Sequence, residues 1–189
     1  MKELVVLVEE ESMKRTLDIL LPTLLPEDVY IRVIPHQGKS DLEASVPRKL
    51  RAWTNPQAKF IVMRDNDGGD CKKLKGKLSA LCSSGGRPET LIRIVCQELE
   101  SWFLGDLAAV EKSGISPDRN IARKQGKKTY KDPDRLGNAK EELRRIAPSY
   151  MPRTGSHAIA PHMSLDSNRS KSFQVFVGGV RRMIAEMEG

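Results

Sequence analysis

The run FIVMRDNDGGD, from Phe60 to Asp70, decides the fold. Lys59 to Met63 is a short apolar stretch, long enough for one buried strand and too short for a buried helix. Its character changes at once: Arg64 to Asp70 carries aspartates, an asparagine and paired glycines, the residues of a tight turn. Asp70 then stands where a cap belongs for a lysine-rich helix expected over Lys72–Cys82. Upstream, Leu4 to Val8 is a second continuous apolar strand that runs into Glu9, Glu10 and Glu11. A helix follows from Ser12, its expected cap, to Leu21, with Pro22 as the stop. Val29 to Ile34 alternates as a strand, and Asp41 to Trp53 reads as a helix that Pro47 should kink or divide. Downstream, SSGGRP breaks the chain before a fourth strand at Thr90–Cys96. Apolar strands alternating with helical patterns imply an α/β fold with a parallel sheet of about four strands, because parallel neighbours need crossovers that cover both faces.

Beyond that sheet the pattern becomes helical: Glu98–Val110, a segment near Gly137–Ile146, and a final helix over Ser170–Met187. Residues 148–162, with three prolines, read as a flexible connection. The expected division is a sheet domain over residues 1–110 and a basic, mainly helical extension over residues 111–189 packed on it. Charge supports it. Of 32 lysines and arginines and 25 acids, residues 1–110 hold 16 and 16, whereas residues 111–189 hold 16 and 9, so the whole net charge of +7 lies in the second part. At 189 residues and 39% apolar content the chain suits one compact body rather than two independent cores or a disordered chain. No apolar run approaches the roughly 20 residues of a membrane span. Met1 is followed by charge and then directly by a strand, without a secretory leader, so a cytoplasmic location is expected. Three cysteines without a CxxC pair suggest buried thiols, and three histidines without an HExxH spacing argue against zinc.

The acids carry the chemistry. In open parallel sheets ligands gather at the carboxyl ends of the strands. Glu9 directly follows the first strand, and Asp65 and Asp67 follow the third, so the three should meet on one edge. An i, i+2 pair in extended backbone points the same way, which lets both carboxylates lean toward one hard cation. Oxygen-only ligands favour Mg²⁺ or Mn²⁺, and phosphoryl transfer is the chemistry such a site serves. DNDGG is also ordinary turn chemistry, and three glutamates after a strand are also an ordinary helix start. A calcium loop beginning at Asp65 is excluded, since its sixth and twelfth positions would be Asp70 and Gly76. The absence of GxGxxG and GxxxxGKS argues against a dinucleotide enzyme and a self-contained NTPase.

The strings VLVEEES (Val6–Ser12), VMRDNDGGDC (Val62–Cys71) and CQELESWFLGD (Cys96–Asp106) resemble the N-terminal motifs of an uncharacterised prokaryotic family with a Toprim-like fold. SLDSNRSKSFQVF (Ser164–Phe176) resembles its closing motif. Toprim domains occur in topoisomerases, primases and nucleases of the overcoming-lysogenization-defect type. There a glutamate after the first strand and a DxD after the third build a Mg²⁺ site. The resemblance therefore implies Glu9 as metal ligand and general acid or base, Asp65 and Asp67 as metal ligands, and a further carboxylate from Glu98 or Glu100. Of these two, Glu98 is the candidate ligand and Glu100 the candidate catalytic acid. One departure is Glu10, which stands where the family tends to have glycine. Trp102 and Phe103 read as core.

A carboxylate site repels a polyanion unless cations offset it. Arg123, Lys127, Lys128 and Lys131, within the basic segment RKQGKKTYK, are the candidate phosphate ligands, with Tyr130 as a candidate base-stacking platform. The function implied is a Mg²⁺- or Mn²⁺-dependent nuclease acting on DNA or RNA, beside an ATPase partner in phage defence. The alternatives are a non-catalytic nucleic-acid- or ATPase-binding subunit and a small-molecule phosphohydrolase or phosphotransferase.

Overall fold

A computed structural model describes residues 1–188. Four strands, β1 (Glu3–Val8), β2 (Tyr30–Pro35), β3 (Ala58–Asp65) and β4 (Leu91–Val95), form one parallel sheet in the order β2-β1-β3-β4. Every residue of β1 is buried, as expected of a central strand covered on both faces. The register aligns Val8 with Pro35 and Met63, and Asp65 with Val95, so the chain leaves all four strands along one carboxyl edge.

Helices cover both faces. On one side lie α2 (Lys39–Ala52) and α3 (Cys71–Ser84), whose Leu42, Val46, Leu50, Leu78 and Cys82 pack on Val5, Leu7, Phe60 and Val62. On the other lies α1 (Glu11–Leu20) together with everything that follows β4: α4 (Glu100–Leu104), α5 (Leu107–Lys112), α6 (Lys128–Lys131), α7 (Ala139–Ile146), α8 (Pro152–Ile159) and α9 (Lys171–Glu188). Leu4, Val6 and Val8 share a single apolar cluster with Trp102, Tyr150, Phe173 and Val180. The later helices are thus a layer of the same body. Trp102 sits 5.0 Å from Phe173 and 5.1 Å from Phe176, ring centre to ring centre, and donates from Nε1 to Ser172 Oγ at 3.0 Å. Trp102 and Phe103 are core residues, as their sequence context suggests.

Several sequence expectations need correction. Pro47 lies within one continuous α2. The cap of α1 is Glu10, and Ser12 lies inside the helix. Glu98–Val110 is two short helices rather than one. The chain turns at Gly105, where a Cβ would stand 2.1 Å from Asn168 Oδ1, and Asp106 caps α5 by accepting from Ala109 N. Residues 148–162 contain α8, whose Gly155, Ser156 and Ile159 are buried and which packs on α1. Prolines mislead there because Pro152 occupies the first turn of a helix, where its missing N–H costs nothing. Of the three thiols only Cys82 is buried; Cys71 and Cys96 are half-buried.

Candidate functional site

The carboxyl ends of β1, β3 and β4 place Glu9, Asp65, Asp67 and Glu100 along one rim. Glu9 is 7% exposed, and its Oε2 accepts from the Asp65 backbone N–H at 3.3 Å, which brings the end of β1 against the end of β3. Asp65 is the last residue of β3. One carboxylate oxygen, Oδ2, accepts from Leu99 N at 3.4 Å; the other, Oδ1, is buried without a partner. Asp67 sits in the turn at φ +48 and is 46% exposed at its side chain. Asn66 fixes that turn: its side chain donates to Gly69 O at 3.1 Å and to Cys71 Sγ at 3.1 Å, and accepts from Gln97 N at 2.5 Å.

Glu100 opens α4 and is 3% exposed; Tyr150 Oη donates to its Oε1 at 2.9 Å and Lys140 Nζ stands 4.0 Å away. Glu98 faces elsewhere: its Oε2 accepts from Lys140 N at 2.9 Å, satisfying an N–H in the first turn of α7. Of the glutamate pair, Glu100 is the one whose charge reaches Asp65. Burial, then repulsion from Glu9 and Glu100, pushes the Asp65 carboxyl well above its ordinary range. Glu9 is raised by burial, with Arg64 opposing, and Glu100 by burial, with Lys140 opposing.

Arg64 was not anticipated from the sequence. Its guanidinium, 7% exposed, reaches Glu43 Oε1 at 2.7 Å, Glu9 Oε2 at 3.7 Å and Asp67 Oδ2 at 3.8 Å, and Lys39 Nζ adds a contact to Asp67 at 3.4 Å. A charged residue closing a buried apolar strand was the signal for Arg64. Nothing local marked Lys39, Lys140 or Tyr150, which arrive from distant segments. Among the described residues, no three His, Cys, Asp or Glu side chains already converge around a common ion position. Beside the rim, a cleft of about 420 Å³ is lined by Glu10, Glu11, Arg15, His36, Gln37 and Arg153.

The basic segment is less free than a loop. Gln125 accepts from Leu107 N at 2.6 Å and donates to Leu104 O at 3.0 Å, holding residues 122–131 against α4 and α5. Arg123, Lys127, Lys128 and Lys131 remain exposed. Tyr130 is not a platform for bases: it is 1% exposed, with its hydroxyl donating to Glu142 Oε1 at 2.5 Å. The closing motif is structural where it can be traced. Asp134 accepts from Ser170 Oγ and from Ser172 N, both at 2.6 Å, and Ser170 Oγ accepts from Phe173 N at 3.1 Å, capping α9.

The C-terminal region of the Burkholderia pseudomallei OLD protein has the same fold, with 16% identity, 97% of this chain and 99% of that chain covered, and a TM-score of 0.58. No curated protein matches the chain. No helix among the described residues is long and apolar enough to cross a membrane. The family described as Domain of unknown function (DUF4276) matches residues 8–181, nearly the whole sequence, and the chain belongs to that family.

Proposed function

We propose that the acidic rim binds Mg²⁺ or Mn²⁺ and hydrolyses phosphodiester bonds in nucleic acid. The observation that carries this reading is Asp65 Oδ1, a buried carboxylate oxygen without a partner beside other acids. Native proteins rarely leave such an atom unsatisfied, and a hard cation is the partner that an all-oxygen set accepts. The donor chemistry fits, being all oxygen, and the ion would draw together side chains that do not yet converge: Asp65, Asp67 and Glu9 would hold it, and Glu98, turned to α7, would join only by releasing Lys140 N. When bound, the ion supplies charge neutralisation at the phosphate and a more acidic water.

This chain's own residues do the rest. Glu9, whose carboxyl burial raises above its ordinary range, is suited to take a proton from an attacking water. Burial raises the Glu100 carboxyl, so it binds a proton more readily than a free one; because Tyr150 already donates to Oε1, a proton taken up there would sit on Oε2, from which it could pass to a leaving oxygen. Arg123, Lys127, Lys128 and Lys131 offset the repulsion between the rim and a polyanion. Association with an ATPase partner in phage defence, implied by the family resemblance, belongs to the same proposal.

A second reading, a binding subunit without catalysis, draws on Arg64, whose guanidinium already supplies Glu9 and Asp67 with a cation. Incubation with supercoiled plasmid and with single strands, with and without Mg²⁺ or Mn²⁺, separates the two. Metal-dependent cutting that Asp65→Asn and Glu9→Gln each abolish supports the first; binding without cutting in Mn²⁺ supports the second.

A further inference from the structure

A second basic surface lies away from the segment at 123–131. Between α3 and α9, over the edge strand β4, a cleft of about 270 Å³ is lined by Lys72 and Lys75 of α3, Arg93 of β4, and Lys171 of α9, with Ile92, Ile94 and Val175 as its apolar floor. Lys171, Val175, Gly178 and Arg182 follow one another at helical spacing, so Arg182 extends the same stripe along α9. Among the described residues, none of Lys72, Lys75, Arg93, Lys171 and Arg182 makes an ion pair. Asp134, the one acid on the wall, is already engaged by Ser170 and Ser172.

Arg93 shows that the surface is built. It is 8% exposed, its NH1 donates to Ile92 O at 2.9 Å, and its Nε is buried without a partner. The guanidinium lies in a slot that only glycine permits: a Cβ at Gly179 would stand 2.1 Å from Arg93 NH2. Burial, and then the nearby Arg182 charge, disfavour the charged form of Arg93. A buried guanidinium set beside a second one, with no carboxylate between them, is costly until an anion arrives.

We propose that this groove binds the phosphate backbone of a nucleic-acid strand and leads it toward the acidic rim. The inference rests on the nuclease reading for its substrate. Two features favour a phosphodiester chain over an acidic protein. The groove ends at Cys71 and Cys96, next to the turn that carries Asp67, so a strand lying in it runs to the rim. Lys171 to Arg182 spans about 16 Å of helix, roughly the rise of four to five phosphates along one strand.

The test measures binding of a labelled single strand and its duplex in EDTA, where no cutting occurs, across a series of salt concentrations. Lys171→Glu/Arg182→Glu, both on the exposed face of α9, should weaken binding about tenfold or more and flatten the salt slope by about 1.4 to 1.8. Arg93→Gln should weaken it too, with circular dichroism confirming the fold. Arg48→Glu/Lys59→Glu, the same charge change on α2 and at the amino end of β3, should change binding far less. Unchanged affinity and slope in the α9 variant overturn the groove, as does failure of the wild type to bind either form. Equal binding of a polyglutamate peptide, lost in the same variants, overturns the assignment in favour of an acidic protein. If the wild type binds through the groove and never cuts, the nuclease reading fails and the groove stands.

Discussion

Replacing Asp65 by asparagine should stabilise the metal-free protein, although it removes the residue most central to the proposed chemistry. In the native chain Asp65 Oδ1 has no donor, and Glu9 and Glu100 repel the charge that Asp65 would carry. An amide of the same shape keeps the oxygen that accepts from Leu99 N and turns a donor toward those acids. Relief of one buried, unsatisfied acceptor is worth about 1–3 kcal/mol. At this chain length each kcal/mol shifts Tm by roughly 2–4 °C. Melting at pH 7 in EDTA should therefore place the variant about 2–12 °C above wild type.

The sign with pH follows from the direction of the shift. A carboxyl raised by folding binds protons more tightly in the native state, so its contribution is fully present below the unfolded value of about 3.9. That contribution is lost as pH rises through the folded value. The advantage of Asp65→Asn should thus vanish in acid and grow with pH. Saturating Mn²⁺ should reverse the order, since an ion at about 1,000 times its Kd adds about 4.1 kcal/mol to the wild type, more than the whole of that advantage. A variant that melts below wild type in EDTA, with Mn²⁺ raising both equally, would refute the reasoning.

Two further substitutions test how the rim is supported. Tyr150→Phe removes the hydroxyl that donates to Glu100 Oε1 and should cost about 1–3 kcal/mol in urea unfolding, because the acid stays buried and loses that side-chain donor. Gly105→Ala drives a methyl group against Asn168 and Ser170 N, which lies 2.7 Å from the Cβ position, and should cost about 1–3 kcal/mol in the same assay.

The sheet was legible because its strands are marked by local composition. Continuous apolar runs at Leu4–Val8 and Phe60–Met63, each followed by charged or turn residues, need no distant information to be read. The rim acids were legible for the same reason: Glu9, Asp65 and Asp67 are placed by strand ends, and parallel topology carries them to one edge. What stayed hidden depends on residues far apart in the chain. Tyr130 looked like a loop aromatic because nothing near it announces Glu142 or the packing that buries it. The two short helices after β4 are separated by Gly105, which is required by Asn168, more than sixty residues away. Nothing near Arg93 in the sequence announces its slot, which depends on Gly179 arriving on α9.

The placement of Tyr150 and Lys140 against Glu100 has a consequence for dissecting this protein. A fragment ending near residue 110 would keep all four strands and all of the rim acids, yet of the layer on one face it would retain only α1, α4 and part of α5, taking Phe173 and Phe176 from Trp102, and Tyr150 and Lys140 from Glu100. Such a piece should collapse or aggregate rather than survive as a minimal folded unit. The tail is a buttress built into the wall it supports, and grafting the acidic edge onto another scaffold means carrying the whole chain along.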